Sequence, residues 1–248
     1  MELLDGFSAA QAVLIVAATF GAAFTRGLTG FGFGILLVPI LALALTPVEA
    51  VLAINIMAGL LAFTEIRLIL REAERSALTI GALVVLTTAP GLIVLDAMPD
   101  NLARLCIALV ALSAFVAVLL PKRGAEPPGA ITTGAVGVSA GLLTGFAAMP
   151  GPPVVPYYVG RDIPRVTAKA SMLGIFGIAS IAGVGASAAI GTFEWRIVSV
   201  GLALFPIVLL GNWVGSLAFG KVNDSVWRSL VGAVLGAAAL AAFGKLFL

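Results

Sequence analysis

Six stretches of this chain, residues 76–95, 105–121, 127–160, 170–193, 197–220 and 229–244, contain no charged side chain. Several approach or exceed the ~20 apolar residues that one helical crossing of a bilayer needs. Across all 248 residues, 61% are hydrophobic and 10% are charged, far below the roughly 25% charged of a soluble domain. The expected fold class is therefore an all-α polytopic membrane protein. No polar stretch is long enough to form a separate soluble domain, and no nucleic-acid partner is expected. The opening residues carry Glu2 and Asp5 but no cation, so the first apolar run is expected to be a retained helix and not a cleaved leader.

Against this background one stretch occurs twice, as GLTGFGFGILLVP from Gly27 to Pro39 and GLLTGFAAMPGPPVVP from Gly141 to Pro156. Each copy contains a Thr-Gly-Phe triplet, Thr29-Gly30-Phe31 and Thr144-Gly145-Phe146, and then a proline, Pro39 or Pro156. A second proline, Pro47 or Pro164, stands eight residues further on in both. Glycine and proline at this density favour bends and close backbone approach over regular helix. The shared spacing points to an internal duplication. Repeat 1 spans about 9–120, the linker PKRGAEPPG occupies 121–129, and repeat 2 spans about 130–248.

Each half then divides into five segments. In the first, Ala9 to Thr25 and Ile35 to Leu45 form a broken helical hairpin. A helix opens at Thr46-Pro47, with Glu49 placed for a capping box, and is expected to run to about Leu70. Ser76 to Leu95 and Leu102 to Leu120 follow. In the second half, Ala130 to Gly145 and Val154 to Gly160 flank the other motif. Pro164 opens a helix reaching about Ile190, and Arg196 to Phe219 and Trp227 to Phe243 complete the set. Met149-Pro150-Gly151-Pro152-Pro153 is expected to interrupt regular helix. Five segments per half would insert the two halves in opposite orientation, an inverted repeat of 5+5 segments giving about 8–10 transmembrane helices, with the broken hairpins at the centre. Full crossings and re-entrant hairpins both satisfy this reading.

Cation placement agrees with it. With both termini on the outer face, eleven of the fourteen Lys and Arg residues fall on inner turns, leaving Arg104, Arg196 and Lys245 outside. That asymmetry is the positive-inside pattern of a plasma-membrane protein, expected to be the bacterial inner membrane.

The chain has no histidine and a single cysteine, Cys106. The commonest general base and metal ligand is therefore missing, as is any intrachain disulfide or Cys-based metal site. An intramembrane enzyme needs a nucleophile with a base or a metal. No catalytic residue, metal or cofactor is expected.

The two motifs are the candidate site. Broken helices expose backbone N–H groups and positive dipole ends, which suit a small anion. Gly30, Gly32, Gly34, Gly145 and Gly151 would give backbone access, Thr29 and Thr144 hydroxyls, and Phe31, Met149, Pro150 and Pro152 the lining. Arg26 is the cation adjoining a motif with a long uncharged stretch on each side. It either faces the site or snorkels to the headgroups. Lys169, early in the helix opened by Pro164, has the same two readings. Asn55 could meet substrate or a neighbouring helix, and Tyr157 could offer a hydroxyl or anchor an interface. The small-xxx-small pairs Gly30/Gly34, Gly141/Gly145, Gly211/Gly215 and Gly232/Gly236 also suit plain helix packing. The acidic residues of the basic turn, Glu65, Glu72 and Glu74, read as part of a solvated face.

In GLTGFGFGILLVPIL (Gly27–Leu41), LTPVEA (Leu45–Ala50) and GLLTGFAAMPGPPVVPYY (Gly141–Tyr158) the sequence resembles the TauE/SafE family of sulfite and organosulfonate exporters. The resemblance implies a transporter that moves small sulfur-containing or carboxylate anions out of the cytoplasm, with the paired motifs lining the pathway. A carrier for carboxylates or other small anions, or an anion channel, remains an alternative. The second motif has Ala147-Ala148 and Pro150 where the family has more glycine. Expected partners are a small anionic substrate and the lipid bilayer, with a homodimer left open.

Overall fold

The computed structural model describes residues 9–118 and 128–219. Most of the linker, the expected last helix Trp227 to Phe243, and the cations Lys122, Arg123, Lys221, Arg228 and Lys245 lie outside the described residues. Those residues form ten helices and no strand: α1 (Ala9–Thr29), α2 (Phe33–Leu41), α3 (Pro47–Thr64), α4 (Ile66–Glu72), α5 (Ser76–Asp96), α6 (Asp100–Val118), α7 (Ala130–Ala147), α8 (Gly151–Val159), α9 (Arg165–Ile190) and α10 (Trp195–Ala218). Six of them, α1, α3, α5, α7, α9 and α10, are long and apolar enough to cross a membrane. Large apolar side chains such as Leu70, Leu78, Leu86, Ile131 and Leu210 are exposed on the outside of the bundle. A soluble protein would bury such groups, whereas lipid solvates them.

Local chemistry explains the helix ends. Thr46 Oγ accepts the Glu49 N–H at 3.2 Å, and the Glu49 carboxylate accepts the Thr46 N–H at 2.8 Å, with Pro47 at the first helical position. This is the capping box anticipated at that position. The helix it starts ends earlier than Leu70, at Thr64. Glu65 leaves helical geometry (φ −108°, ψ 9°) as its carboxylate turns to a partner on α1, and the short α4 follows with no buried residue. The second motif also differs from expectation. Only Ala148 to Pro150 is a break, because Gly151-Pro152-Pro153 forms the first turn of α8. Proline fits there since first-turn N–H groups have no intrahelical acceptor to lose.

Packing interleaves the early and late parts of the chain. α1 runs beside α10 in the same direction: Gly211 lies against Phe20 and Ala23, Gly215 against Phe24 and Leu28, and Gly27 against Asn212 and Ser216. α7 runs beside α5 in the same way, with Gly137 against Leu83, Gly141 against Val84 and Thr87, and Gly145 against Thr88 and Leu92. α3 and α9 lie antiparallel, Asn55 meeting Gly183 and Ala62 meeting Gly177.

The two hairpins open toward opposite ends of this bundle. From α2 the chain reaches Ala42, whose carbonyl accepts Arg104 Nε at 2.7 Å near the start of α6, and the nearby start of α3 is tied to α10 by the Glu49–Arg196 ion pair. From α8 it reaches Arg161, which pairs with Glu74 at the other end, between α4 and α5.

Candidate functional site

Each hairpin breaks for a backbone reason. Between α1 and α2, Gly30 and Gly32 take φ of +88° and +97°, the left-handed region that glycine enters without penalty. Between α7 and α8, Ala148 takes φ +49°, where its Cβ is strained. The threonines brace these breaks. Thr29 Oγ lies 2.8 Å from the carbonyl oxygens of Thr25 and of Phe31, and accepts the Phe31 N–H at 3.1 Å. Thr144 Oγ donates to the Ala140 carbonyl at 2.7 Å, and beyond it the Ala148 N–H returns to Thr144 O at 2.8 Å. Both hydroxyls thus face their own backbone.

The breaks meet. Gly34, in the first turn of α2, sits against the Ala148 carbonyl, where any Cβ would clash. Gly151, at the start of α8, faces Ile35, so that its Cβ would fall 3.2 Å from Ile35 Cδ1. Ile54 of α3 also lies against Gly34, and Phe31 and Met149, within the two breaks, are each 1% exposed. The N-terminal ends of α2 and α8 therefore adjoin inside the bundle, with their positive dipole ends together. They are unequal as donors. The first four N–H groups of a helix lack intrahelical partners. In α2 these belong to Gly32, Phe33, Gly34 and Ile35, whereas Pro150, Pro152 and Pro153 leave α8 only that of Gly151.

A second cluster lies beside the first break. Arg26 is 3% exposed, and its Nη1 donates to Glu65 Oε2 at 2.7 Å and to Asn212 Oδ1 at 3.1 Å. Asn212 Nδ2 faces Glu65 Oε1 at 3.4 Å. Lys169, 4% exposed, passes over Gly30, where a Cβ would come within 2.8 Å of its Cγ. Its ammonium donates to the Gly27 carbonyl at 2.7 Å and lies 4.1 Å from the centre of the Phe219 ring. Arg26 and Lys169 thus face the interior, and neither snorkels. The charge of Arg26 is held by Glu65 and is not left open.

A third cluster sits at the end of α8. Arg161 Nη1 and Nη2 donate to the two carboxylate oxygens of Glu74 at 2.8 and 3.2 Å. The Tyr158 hydroxyl bonds Ser76 Oγ at 2.8 Å, and the Tyr157 hydroxyl bonds Thr133 Oγ at 2.9 Å.

The structure thus separates the residues proposed from sequence. Gly34, Met149, Pro150, Gly151 and Pro152 gather at or next to the meeting point, Arg26, Gly30 and Lys169 beside it, and Tyr157 away from it. Gly145 packs on α5. Asn55 is buried against Gly183 of α9, and its Nδ2 has no hydrogen-bond partner among the described residues. Sequence reasoning missed Glu65, Arg161 and Asn212 as interior groups, and Glu74 as the half-buried partner of Arg161. Asn212 carried a signal, as a lone amide within the charge-free run 197–220.

A family model described as sulfite exporter TauE/SafE matches residues 15–242. No curated protein and no solved structure matches the chain.

Proposed function

The chain belongs to the sulfite exporter TauE/SafE family, and on that premise we propose that it exports small sulfur-containing anions, such as sulfite, sulfoacetate and related sulfonates, from the cytoplasm. In this reading the anion binds where the two breaks meet, held chiefly by the N–H groups of α2. The observation that carries it is the pair of contacts of Gly34 with Ala148, the C-cap of α7, and of Gly151, the first residue of α8, with Ile35, which together set the starts of α2 and α8 side by side in the interior of a membrane bundle. Irregular backbone at such depth is tolerated only where protein or a water-filled cavity surrounds it.

The halves 9–120 and 130–248 are read as inverted repeats of five segments each. Two features support that: the exchanged packing of α1 on α10 and α7 on α5, and the hairpins that open toward opposite ends. The end carrying Arg67, Arg71, Arg75, Arg161 and Arg165 is assigned to the cytoplasm by the positive-inside rule, which leaves both termini on the outer face of the plasma membrane. With the inside negative, each unit of negative charge moving outward gains ~2.3 kcal/mol per 100 mV, so export needs no coupling ion. Burial of Phe31 and Met149 within the breaks favours a carrier that occludes its cargo over an open channel.

Purified protein in lipid vesicles tests the reading through sulfoacetate and sulfite counterflow. Saturable exchange is expected, and Gly34→Val should abolish it by driving the breaks apart. Flux no greater than that of protein-free vesicles for every sulfur oxyanion would overturn the assignment.

A further inference from the structure

The charges beside the first break do not cancel. Among the described residues Arg26 and Lys169 bring two positive charges and Glu65 one negative, an excess of +1 in a cluster that is nearly closed to solvent. Buried charge is retained only where it finds partners, and the partner found here is instructive. One oxygen of Glu65 takes Arg26 at 2.7 Å and the other faces Asn212 at 3.4 Å, while Asn212 is itself held by Arg26 at 3.1 Å. This is a two-donor cradle closed on an oxyanion, and the oxyanion belongs to the chain. Glu65 stands at the C-terminus of α3, and the α4 turn behind it buries no residue, so little packing opposes withdrawal of the carboxylate.

We propose that Glu65 is a tethered stand-in for the transported anion, and that a small oxyanion docks on Arg26 and Asn212 by displacing its carboxylate. The identity of the anion rests on the export reading above; the cradle does not. A sulfonate or sulfite group offers two oxygens on one centre, as a carboxylate does, and so can take both donors of the cradle. With Glu65 withdrawn the cluster carries +2, which matches a dianion such as sulfoacetate. Displacement also releases the joint between α3 and α4, so arrival of the anion and loosening of that end of the bundle are one event.

The test is thermal unfolding of the full chain in detergent against acetate, sulfite, sulfoacetate and chloride. It compares wild type, Glu65→Ala and Glu65→Gln. Glu65→Ala should melt lower without anion and recover with acetate, the carboxylate it has lost. Its half-saturating concentration should be at least about tenfold below that of wild type, equivalent to ~1.4 kcal/mol. Glu65→Gln keeps the shape without the charge and should bind anion more tightly than wild type, which covers the case in which the alanine variant does not fold. Adding Arg26→Ala to Glu65→Gln should remove the gain in affinity over wild type. Anion responses identical in wild type and both Glu65 variants would overturn the stand-in role, even if wild type transports sulfoacetate. Recovery with acetate but with neither sulfur anion would keep the cradle and overturn the substrate class.

Discussion

The Lys169 ammonium reaches across Gly30 to within 2.7 Å of the Gly27 carbonyl, in the last turn of α1. The break creates the need for this bond. Phe31 would return its N–H to Gly27 in a continuous helix, but gives it to Thr29 Oγ instead. A cation at a helix C-terminus is favourable and here replaces the lost donor. Lys169→Met should therefore destabilise the protein by about 1–3 kcal/mol, the cost of a buried acceptor left unmade. Equilibrium unfolding in detergent measures it, and a Lys169→Met protein as stable as wild type would show that the bond contributes nothing.

Ala148 holds a left-handed conformation that costs a non-glycine residue about 1–2 kcal/mol. Ala148→Gly removes that strain at the expense of a more flexible unfolded chain, a loss of about 0.5–1 kcal/mol. The balance predicts a gain of roughly 0.5–1 kcal/mol, read as a higher unfolding midpoint. A lower midpoint would mean that the methyl group contributes packing greater than the strain.

Thr46→Ala deletes one half of the capping box at the start of α3. A loss of about 1 kcal/mol is expected, with the concentration dependence of transport unchanged because the cap lies about two helical turns from Ile54, where α3 meets Gly34. A change in that dependence would argue that the end of the bundle near Glu49 takes part in transport.

The Arg161 side chain is 5% exposed and that of Glu74 is 25% exposed. Arg161→Met should cost about 1–2 kcal/mol, because the Glu74 carboxylate loses its bidentate partner but keeps the Ser76 hydroxyl and some solvent, and the double variant with Glu74→Gln should cost less than the sum of the singles. Additive losses in the double-mutant cycle would show that the pair is not coupled.

What the sequence revealed and what it hid divide along a physical line. Features written in consecutive residues were legible: the charge-free runs, the Thr46-Pro47-Val48-Glu49 cap, and the break at Thr29-Gly30-Phe31, whereas the matching triplet Thr144-Gly145-Phe146 stays helical and the second break falls at Ala148 to Pro150. Partners set by three-dimensional packing were not legible. Glu65 and Glu74 sit in a turn crowded with arginines, where spacing alone suggests a solvated face. Each instead reaches a different hairpin, Arg26 of the first and Arg161 after the second. The proline cluster was misread for a related reason. Composition says that proline interrupts helix, but at Pro152 and Pro153 the interruption is already over and the prolines begin the next one. Gly145 shows the converse limit, since a glycine kept for contact with α5 has the same sequence signature as one kept open for a ligand.

The alliance of α1 with α10 sets a timetable for biogenesis. Asn212, which holds Arg26 from α10, is made 186 residues after it. At ~5–20 residues per second a ribosome needs roughly 10–40 s to cover that distance. Throughout that interval the first helix sits in the insertion machinery or in lipid with its arginine held by Glu65 at best and its Gly27 face uncovered. Assembly of this protein is therefore a late event in its own synthesis, and the cell must shelter the first helix until the tenth arrives.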